Sequence, residues 1–84
     1  MYYTYVLKSE ADNNLYIGYT GDLRQRIKDH NQGKTKSIKH RIPFKLIYYE
    51  AYKNKTDARK REIELKKNNY QKEQLIKRIE NSLR

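Results

Sequence analysis

The sequence predicts an α+β fold: a small three-stranded antiparallel sheet flanked by three helices, in the order β-β-α-β-α-α. Two observations support this class. Three segments are rich in aromatic and β-branched residues, as strands are, and apolar residues recur at helical spacing in the segments between and after them. The chain has 84 residues, of which 36% are hydrophobic. This length and apolar content predict a single domain over residues 1–84.

The first two predicted strands form a hairpin. Residues 2–8 make the first strand, and residues 15–20 return as its partner. Asp12, Asn13 and Asn14 lie between them and are typical turn residues.

A helix is predicted after the hairpin. Asp22 and Gln25 have the spacing of a capping box, which predicts a helix that begins there and runs to about Gln32. Gly33 is the residue expected to end it. A basic loop follows and ends at Pro43.

The second half of the chain contains one strand and two helices. Residues 44–52 are expected to form the third strand. Asn54 or Thr56 then begins a second helix that runs to about Lys67. A third helix is predicted over residues 71–83, where apolar residues recur every four positions.

The charge of the chain indicates a polyanionic partner. It has 20 Lys and Arg against 10 Asp and Glu, a net charge of +10, which favours nucleic acid or an acidic membrane surface. Residues 24–45 alone contain eight bases and one acid. The simplest alternative for such a run is a solvated surface. The residues expected to contact nucleic acid are Arg24, Lys28, Lys34, Lys36, Lys39, His40, Arg41 and Lys66.

Several classes of protein are excluded by what the sequence lacks. It has no cysteine, and therefore no disulfide, no thiolate nucleophile and no sulfur-based zinc site. Its wholly apolar stretches fall far short of the roughly 20 residues that a membrane span needs, and no signal peptide is recognisable at the N-terminus. We therefore expect a soluble cytoplasmic protein. A membrane partner is not expected either, because the third helix has no Trp or Phe on its apolar face.

Two tyrosines of the hairpin are candidates for chemistry. If Lys8 pairs with Leu15, Tyr5 lies opposite Gly18 and diagonally beside Tyr16 on one face of the sheet. A glycine in mid-strand indicates that something approaches closely, here a nucleic-acid backbone. The alternative is that both tyrosines are simply core residues.

Arg26 and His30 form a second candidate group on the first helix. They are four residues apart and flank the apolar stripe of Leu23 and Ile27, so a bound anion could touch both side chains. The alternative is an arginine whose charged end reaches water beside a half-buried histidine.

Glu62 lies in the middle of the inward-facing stripe of the second helix, between Ala58 and Leu65. A buried carboxylate is costly unless it has a partner or a raised pKa. An ion pair with a nearby Arg or Lys would satisfy it. A hard divalent ion such as Mg²⁺ would satisfy it equally well, because Mg²⁺ can be held by one carboxylate and several waters.

Together these residues resemble the GIY-YIG nucleases, whose domain begins with two short motifs on adjacent strands. The second motif is present as Tyr16-Ile17-Gly18, and the first is reduced to Tyr3-Thr4-Tyr5, which keeps only its final tyrosine. Arg26, His30 and Glu62 match the family's helix arginine, helix histidine and metal-binding glutamate.

The resemblance extends to one branch of the family. Residues 41–50 and 61–67 are similar to the small stand-alone, UPF0213-like branch, and the likeness covers the chain from Tyr2 to about Ile79. Ile38 stands where this branch often has a threonine, so the hydroxyl is lost at that position.

The resemblance implies a metal-assisted hydrolysis of phosphodiester bonds in DNA, with RNA left open as a substrate. Glu62 would hold one Mg²⁺ or Mn²⁺ ion that acts on the scissile phosphate and its leaving 3′-oxygen. Tyr5 would take the proton of the attacking water, and His30 would share or relay it. Arg26 would clamp the phosphate, and Tyr16 would position the water or the phosphate.

Substrate choice is the part of the function that the resemblance leaves open. Many relatives carry a separate DNA-recognition domain, and phosphate contacts alone do not read sequence. We therefore expect branched or flapped DNA in repair or recombination as the substrate, or a protein partner that supplies specificity. Asn68 or Asn69 is the candidate for an asparagine that family members often use. The alternative function is a catalytically inactive basic module that binds nucleic acid.

Overall fold

The computed structural model describes residues 1–84 and contains an antiparallel sheet with the strand order β2-β1-β3. The elements are β1 (Tyr2–Ser9), β2 (Leu15–Thr20), α1 (Leu23–Asn31), a 3₁₀ helix (Lys36–Arg41), β3 (Phe44–Tyr52), α2 (Lys55–Lys67) and α3 (Asn69–Arg78). The predicted class and order are confirmed, and the 3₁₀ helix is an addition. None of the helices is long and apolar enough to cross a lipid bilayer.

The central strand β1 separates two apolar clusters, because successive side chains of a strand point to opposite faces of the sheet. Val6 packs on one side with residues of β2, α2 and α3, namely Ile17, Leu65, Leu75 and Ile79. Tyr5 and Leu7 pack on the other side with Ile38 of the 3₁₀ helix and Phe44 of β3. Tyr5 and Tyr16 of the candidate site lie on this second side, whereas α2, which carries Glu62, packs on the first side.

The β1–β2 hairpin has the predicted register, in which Lys8 pairs with Leu15. Its turn uses the predicted residues. Asn13 has a φ of 60°, in the left-handed region that asparagine tolerates. The carboxylate of Asp12 accepts a hydrogen bond of 2.9 Å from the N–H of Asn14.

Helix α1 is capped at both ends by the predicted residues, but the capping box is only half formed. The Asp22 carboxylate accepts a 3.1 Å hydrogen bond from the N–H of Gln25. The reciprocal bond is absent, because the Asp22 N–H donates to the Thr20 hydroxyl at 3.1 Å and the Gln25 side chain donates to Asp29 at 2.8 Å. After α1, Gly33 has a φ of 75°, as a C-terminal capping glycine requires.

The segment predicted to be a basic loop contains the 3₁₀ helix. Ile38 points inward from it and is only 7% exposed, whereas its neighbours Lys36, Lys39 and His40 are exposed. A single apolar residue thus anchors this short helix on the tyrosine side of the sheet. As a consequence Thr35, which precedes the helix, lies against α1.

Helix α2 begins after Asn54, whose side chain accepts a 2.8 Å hydrogen bond from the N–H of Thr56, so the first of the two predicted start residues is correct. The helix is fastened to β1 by the Thr4 hydroxyl, which donates to the Ala58 carbonyl at 2.7 Å. Both of those residues are buried. This contact holds Glu62, one turn further along, against the sheet.

Helix α3 differs from its prediction at both ends. Asn68 caps it by accepting a 3.1 Å hydrogen bond from the N–H of Gln71, so the helix begins at Asn69. It ends at Arg78, and its predicted extension to residue 83 is wrong. Residues 79–83, after Arg78, form turns, and the Lys8 ammonium donates to the Leu83 carbonyl at 2.6 Å.

Strand β3 pairs with β1 across a bulge that was not predicted. Val6 pairs with Tyr48 and Leu7 pairs with Leu46, which leaves Ile47 as the extra residue of β3. Both Ile47 and Tyr48 consequently pack against the cluster on the α3 side.

Glu50 connects β3 to α2 through a half-buried network. Its carboxylate accepts hydrogen bonds from the Tyr48 hydroxyl at 2.6 Å, from the Tyr52 hydroxyl and from Nε of Arg61 at 3.0 Å. Burial alone would raise the pKa of Glu50, but these three donors outweigh burial and lower it. The charged form of Glu50 therefore stabilises the fold.

We predict that Glu50→Gln lowers the free energy of unfolding by about 1–3 kcal/mol at neutral pH, because the neutral amide accepts fewer of these hydrogen bonds. Since the folded-state pKa of Glu50 is lowered, its contribution is present above the ordinary glutamate pKa and is lost as the pH falls through the folded value. Urea unfolding at several pH values measures the difference, which should shrink in acid. The exposed Glu73→Gln serves as control, and a difference that is constant with pH would contradict the prediction.

Candidate active site

Tyr5 and His30 form a buried hydrogen-bonded pair at the centre of the site. Tyr5 is 1% exposed and His30 is 0% exposed. The Tyr5 hydroxyl lies 2.9 Å from Nε2 of His30, and the Thr35 hydroxyl lies 3.1 Å from Nδ1 of the same ring. The structure therefore brings together two of the predicted residues, from β1 and α1, and adds Thr35.

Both members of this pair are neutral in the free protein. Burial raises the pKa of Tyr5 to about 12, although Arg26 opposes the rise. Burial lowers the pKa of His30 from its usual value, and the positive charge of Arg26 lowers it further. A protonated phenol thus lies beside an uncharged imidazole that can accept its proton.

The expectation that Gly18 leaves room for a nucleic-acid backbone is wrong. Tyr5 pairs with Gly18 as predicted, but a Cβ atom at Gly18 would lie 2.4 Å from the Tyr5 hydroxyl oxygen and 2.6 Å from Cζ. The phenol ring itself occupies the space over the glycine. Gly18 is therefore required for the position of the Tyr5 hydroxyl.

Tyr16 lies beside this pair, as its predicted diagonal position requires. Its ring centroid is 5.2 Å from that of His30 and 6.4 Å from that of Tyr5. It is half-buried, and the Lys66 ammonium lies 6.0 Å above its ring. Tyr16 thus forms a partly open wall of the site.

Arg26 faces the same site from α1, one turn before His30. It is half-buried, and it makes no ion pair. Its charge acts on the pKa of both Tyr5 and His30. The guanidinium is thus available to an anion next to the neutral pair.

Glu62 is buried on α2, with 5% exposure, and its two oxygens are paired. Arg59 donates to Oε1 at 2.5 Å, and Lys66 donates to Oε2 at 3.0 Å. Their side chains are 52% and 45% exposed, against 6% for that of Glu62. The ion-pair alternative considered for Glu62 is therefore present, and both of its partners are about half exposed.

The donor set of Glu62 fits a Mg²⁺ or Mn²⁺ ion. No group of three or more His, Cys, Asp or Glu side chains is placed to hold a metal, so protein atoms alone do not form a cage. Mg²⁺ typically takes one or two carboxylates and completes its shell with waters and substrate phosphates. A single carboxylate whose partners are exposed cations suits that mode of binding.

The predicted nucleic-acid contacts divide into free and engaged side chains. Those that are exposed and form no ion pair are Arg24, Lys28, Lys36, Lys39 and His40. Lys34 is 62% exposed but pairs with Asp29 at 3.3 Å. Lys66 lies at the site and pairs with Glu62.

Arg41 is engaged more fully than the sequence suggested. Its Nε donates to the Asp12 carboxylate at 2.7 Å, and its Nη2 donates to the Leu15 carbonyl at 3.3 Å. The guanidinium also lies over the Phe44 ring at 5.6 Å. Arg41 therefore fastens the 3₁₀ helix to the hairpin.

Sequence reasoning missed three residues that shape the site. Thr35 belongs to no distinguishing motif, although its position two residues after the capping glycine, Gly33, was a signal that could have been used. Arg59 stands three residues before Glu62, a spacing that puts both on one side of a helix. Asn31 clamps β3 to α1, since its amide accepts from the Phe44 N–H at 2.6 Å and donates to the Phe44 carbonyl at 3.0 Å.

One of the two candidates for the late asparagine, Asn68, has a structural role in the fold. Asn68 ends α2 and caps α3 through its side chain. Both Asn68 and Asn69 are exposed beyond the end of α2.

Comparison with known families identifies the family of this chain. The GIY-YIG catalytic domain matches residues 1–77, and the chain belongs to that family. GIY-YIG is a nuclease family, so membership implies a nucleic-acid substrate.

Within the family the chain is similar to UPF0213 proteins. A UPF0213 protein of Clostridium perfringens is 46% identical over 78 residues, covering 90% of this chain and 83% of the relative. One from Staphylococcus haemolyticus is 41% identical over 80 residues, covering 94% of each. The solution NMR structure of a UPF0213 protein from Bacillus halodurans has a TM-score of 0.57 at 39% identity, covering 92% of this chain and 84% of that one.

We predict that Gly18→Ala displaces the Tyr5 ring and destabilises the protein by about 1–3 kcal/mol, as overpacking of a core does. The hydrogen bond between Tyr5 and His30 should break at the same time. Chemical unfolding measures the first effect, and the ring signals of His30 in NMR spectra report the second.

Gly21→Ala is the matched control for that variant. A Cβ at Gly21 would lie 3.4 Å from the nearest atom, Cε1 of Tyr2, which is ordinary contact. Its stability should stay within about 0.5 kcal/mol of wild type. Equal effects of the two substitutions would show that the Tyr5 ring is not confined as described.

Proposed function

We propose that this chain is a metal-dependent endonuclease that hydrolyses phosphodiester bonds in DNA. The observation that carries the proposal is the neutral, buried Tyr5–His30 pair beside an unpaired Arg26 and a buried Glu62. Packing alone has no need for a tyrosine hydrogen-bonded to a histidine, an arginine without a counter-ion and a carboxylate in one place. Hydrolysis of a phosphodiester requires a proton acceptor, a phosphate clamp and a cation site.

The proton of the attacking water moves through Tyr5 to His30. A phenol with a pKa of about 12 is not ionised at neutral pH, so it cannot accept a proton without releasing its own. As the water oxygen attacks phosphorus, its proton passes to the Tyr5 oxygen, and the Tyr5 proton passes over 2.9 Å to Nε2 of His30. The positive charge of Arg26 stabilises any phenolate character that develops.

Arg26 and Tyr16 hold the phosphate. A guanidinium binds two phosphate oxygens at once and stabilises the charge that grows on them in the transition state. The half-buried Tyr16 hydroxyl orients the water or the phosphate from the other side. Bound in this way, the phosphorus atom lies within reach of a water held by Tyr5.

Glu62 is the residue that would hold Mg²⁺ or Mn²⁺. When bound, such an ion supplies a Lewis acid that stabilises the leaving 3′-oxygen as the P–O bond breaks. Arg59 and Lys66 have to release Glu62 for this to happen, and their exposure allows it. The phosphates of the substrate offer both cations new partners.

The substrate we favour is branched or flapped DNA, with a role in repair or recombination. The free basic residues of α1 and the 3₁₀ helix, Arg24, Lys28, Lys36, Lys39 and His40, would contact phosphates. Such contacts orient a duplex without reading its sequence, so structure-selective cutting is expected. An RNA substrate, or a protein partner that adds specificity, is the alternative if none of these DNA structures is cut.

We predict that the wild type cuts supercoiled plasmid, a flapped duplex or a four-way junction with Mg²⁺ or Mn²⁺ at low salt, and that chelator stops it. Glu62→Gln should lower the cleavage rate by at least about 100-fold, because a metal ligand is lost. Glu64→Gln, two residues along α2 with the same change of charge, is the control and should cut like wild type. Circular dichroism checks that all three proteins are folded.

The alternative, a basic module that binds nucleic acid without cutting it, has one observation in its favour. Glu62 is neutralised by two cations in the structure, as a purely structural carboxylate would be. Gel shifts with every DNA and RNA substrate, but no cutting with any metal, would establish this alternative and reject the nuclease.

We also predict an acid limb in the pH dependence of cleavage. Because the pKa of His30 is lowered below its ordinary value of 6.5, the ring is a neutral acceptor above that value, and it is protonated only as the pH falls through the lowered pKa. Single-turnover rates from about pH 5 to about pH 8 should therefore be flat above the limb and fall below it. His40→Gln should keep the limb in place. A limb that moves with His40, or one centred above 6.5, would refute the role of His30 as acceptor.

A further inference from the structure

Thr35 occupies a capping position without using its side chain as a cap. It precedes the 3₁₀ helix with extended backbone angles, and its hydroxyl makes no capping hydrogen bond. Threonine at such a position normally accepts from a backbone N–H of the first turn. Here the hydroxyl is 3.1 Å from Nδ1 of His30 instead.

The surroundings of His30 determine which ring nitrogen carries the proton. A neutral imidazole has one N–H, at Nδ1 or at Nε2. The Tyr5 hydroxyl keeps its proton, since its pKa is about 12, and Nε2 is its hydrogen-bond partner. The neighbouring Arg26 has only donors and cannot accept that proton. Nε2 is consequently the acceptor, and the N–H is at Nδ1.

It follows that the Thr35 hydroxyl oxygen accepts a hydrogen bond from Nδ1–H. No other side chain bonds Nδ1, and His30 is 0% exposed, so water does not replace Thr35. Loss of the hydroxyl would leave a buried N–H without a partner. The imidazole would then lose the bond that fixes its orientation, and an unpaired buried N–H is costly.

We propose that Thr35 is a positioning residue: by accepting from Nδ1–H it fixes the orientation of the His30 ring and so keeps the Nε2 lone pair directed at the Tyr5 proton. The proposal rests on the proposed function for its catalytic meaning, whereas the hydrogen bond to Thr35 is a property of the resting protein. Partners that fix the tautomer of a functional histidine act in the same way at metal sites.

The first measurement is spectroscopic and needs no substrate. Ring ¹⁵N shifts and two-bond ¹H–¹⁵N couplings of His30, assigned with the help of His40→Gln, are recorded above the pKa of the ring. The wild type should show a protonated Nδ1 and an unprotonated Nε2. Thr35→Val, which keeps the branched shape but lacks the hydroxyl, should keep this tautomer, because the Tyr5 proton still needs Nε2 as its acceptor. It should lose the slowly exchanging Nδ1–H proton signal of the wild type, and Thr35→Ser should restore that signal.

The second measurement is the single-turnover cleavage rate of the same proteins. Thr35→Val should be slower by about 10- to 100-fold, the usual cost of losing a residue that orients a functional histidine. Thr35→Ser should recover most of the rate. Thr56→Val, which removes an exposed hydroxyl in the first turn of α2, is the matched control and should change neither rate nor tautomer.

The outcomes separate the two proposals. An Nε2–H ring in the wild type, or a Thr35→Val protein with an unchanged Nδ1–H signal, overturns the assignment of Thr35. Equal, measurable cutting by wild type and Thr35→Val also overturns its positioning role. A wild type that has the Nδ1–H tautomer but cuts no substrate rejects the nuclease proposal and leaves the tautomer assignment supported.

Discussion

The close contact between the Tyr5 ring and Gly18 is the constraint on which the candidate site depends. It exists only in the observed hairpin register, because a slip of one residue would turn Tyr5 to the α2 side of the sheet. In this register the hydroxyl end of the ring lies against the glycine, and the hydroxyl reaches His30 on α1. The position of α1 is in turn secured by Asn31, which bonds both backbone groups of Phe44 in β3.

The site combines a neutral half and a charged half. Tyr5 and His30 are buried and uncharged at neutral pH, so this half of the site holds no buried charge until a proton is transferred. Glu62 is also buried but is paired with two exposed cations. Arg26 differs from both halves, since it is half-buried and charged but has no counter-ion. The surrounding excess of positive charge favours a polyanion over any neutral ligand at this surface.

Local signals in the sequence predicted the elements well, and long-range contacts explain what was missed. The hairpin register, Gly33 and Asn54 follow from turn and capping preferences that act within a few residues. The inward positions of Tyr5, His30 and Glu62 follow from strand and helix periodicity. By contrast, Arg41 donates a hydrogen bond to Asp12, 29 positions away, and Lys8 donates one to Leu83, 75 positions away. The spacing of residues along the chain gives no indication of partners that are so far apart in sequence.

Because Glu62 has two ion pairs, the protein does not need a metal ion at this residue in order to fold. Many small metal-binding domains are unfolded without their ion, because ligand charges repel one another or stay unsatisfied until it binds. Here Arg59 and Lys66 satisfy the carboxylate within α2 itself, three residues before it and four after it. The chain can therefore fold and persist while divalent ions are scarce. If Glu62 binds metal as proposed, the ion concentration would control the turnover of an already assembled protein, and not its abundance.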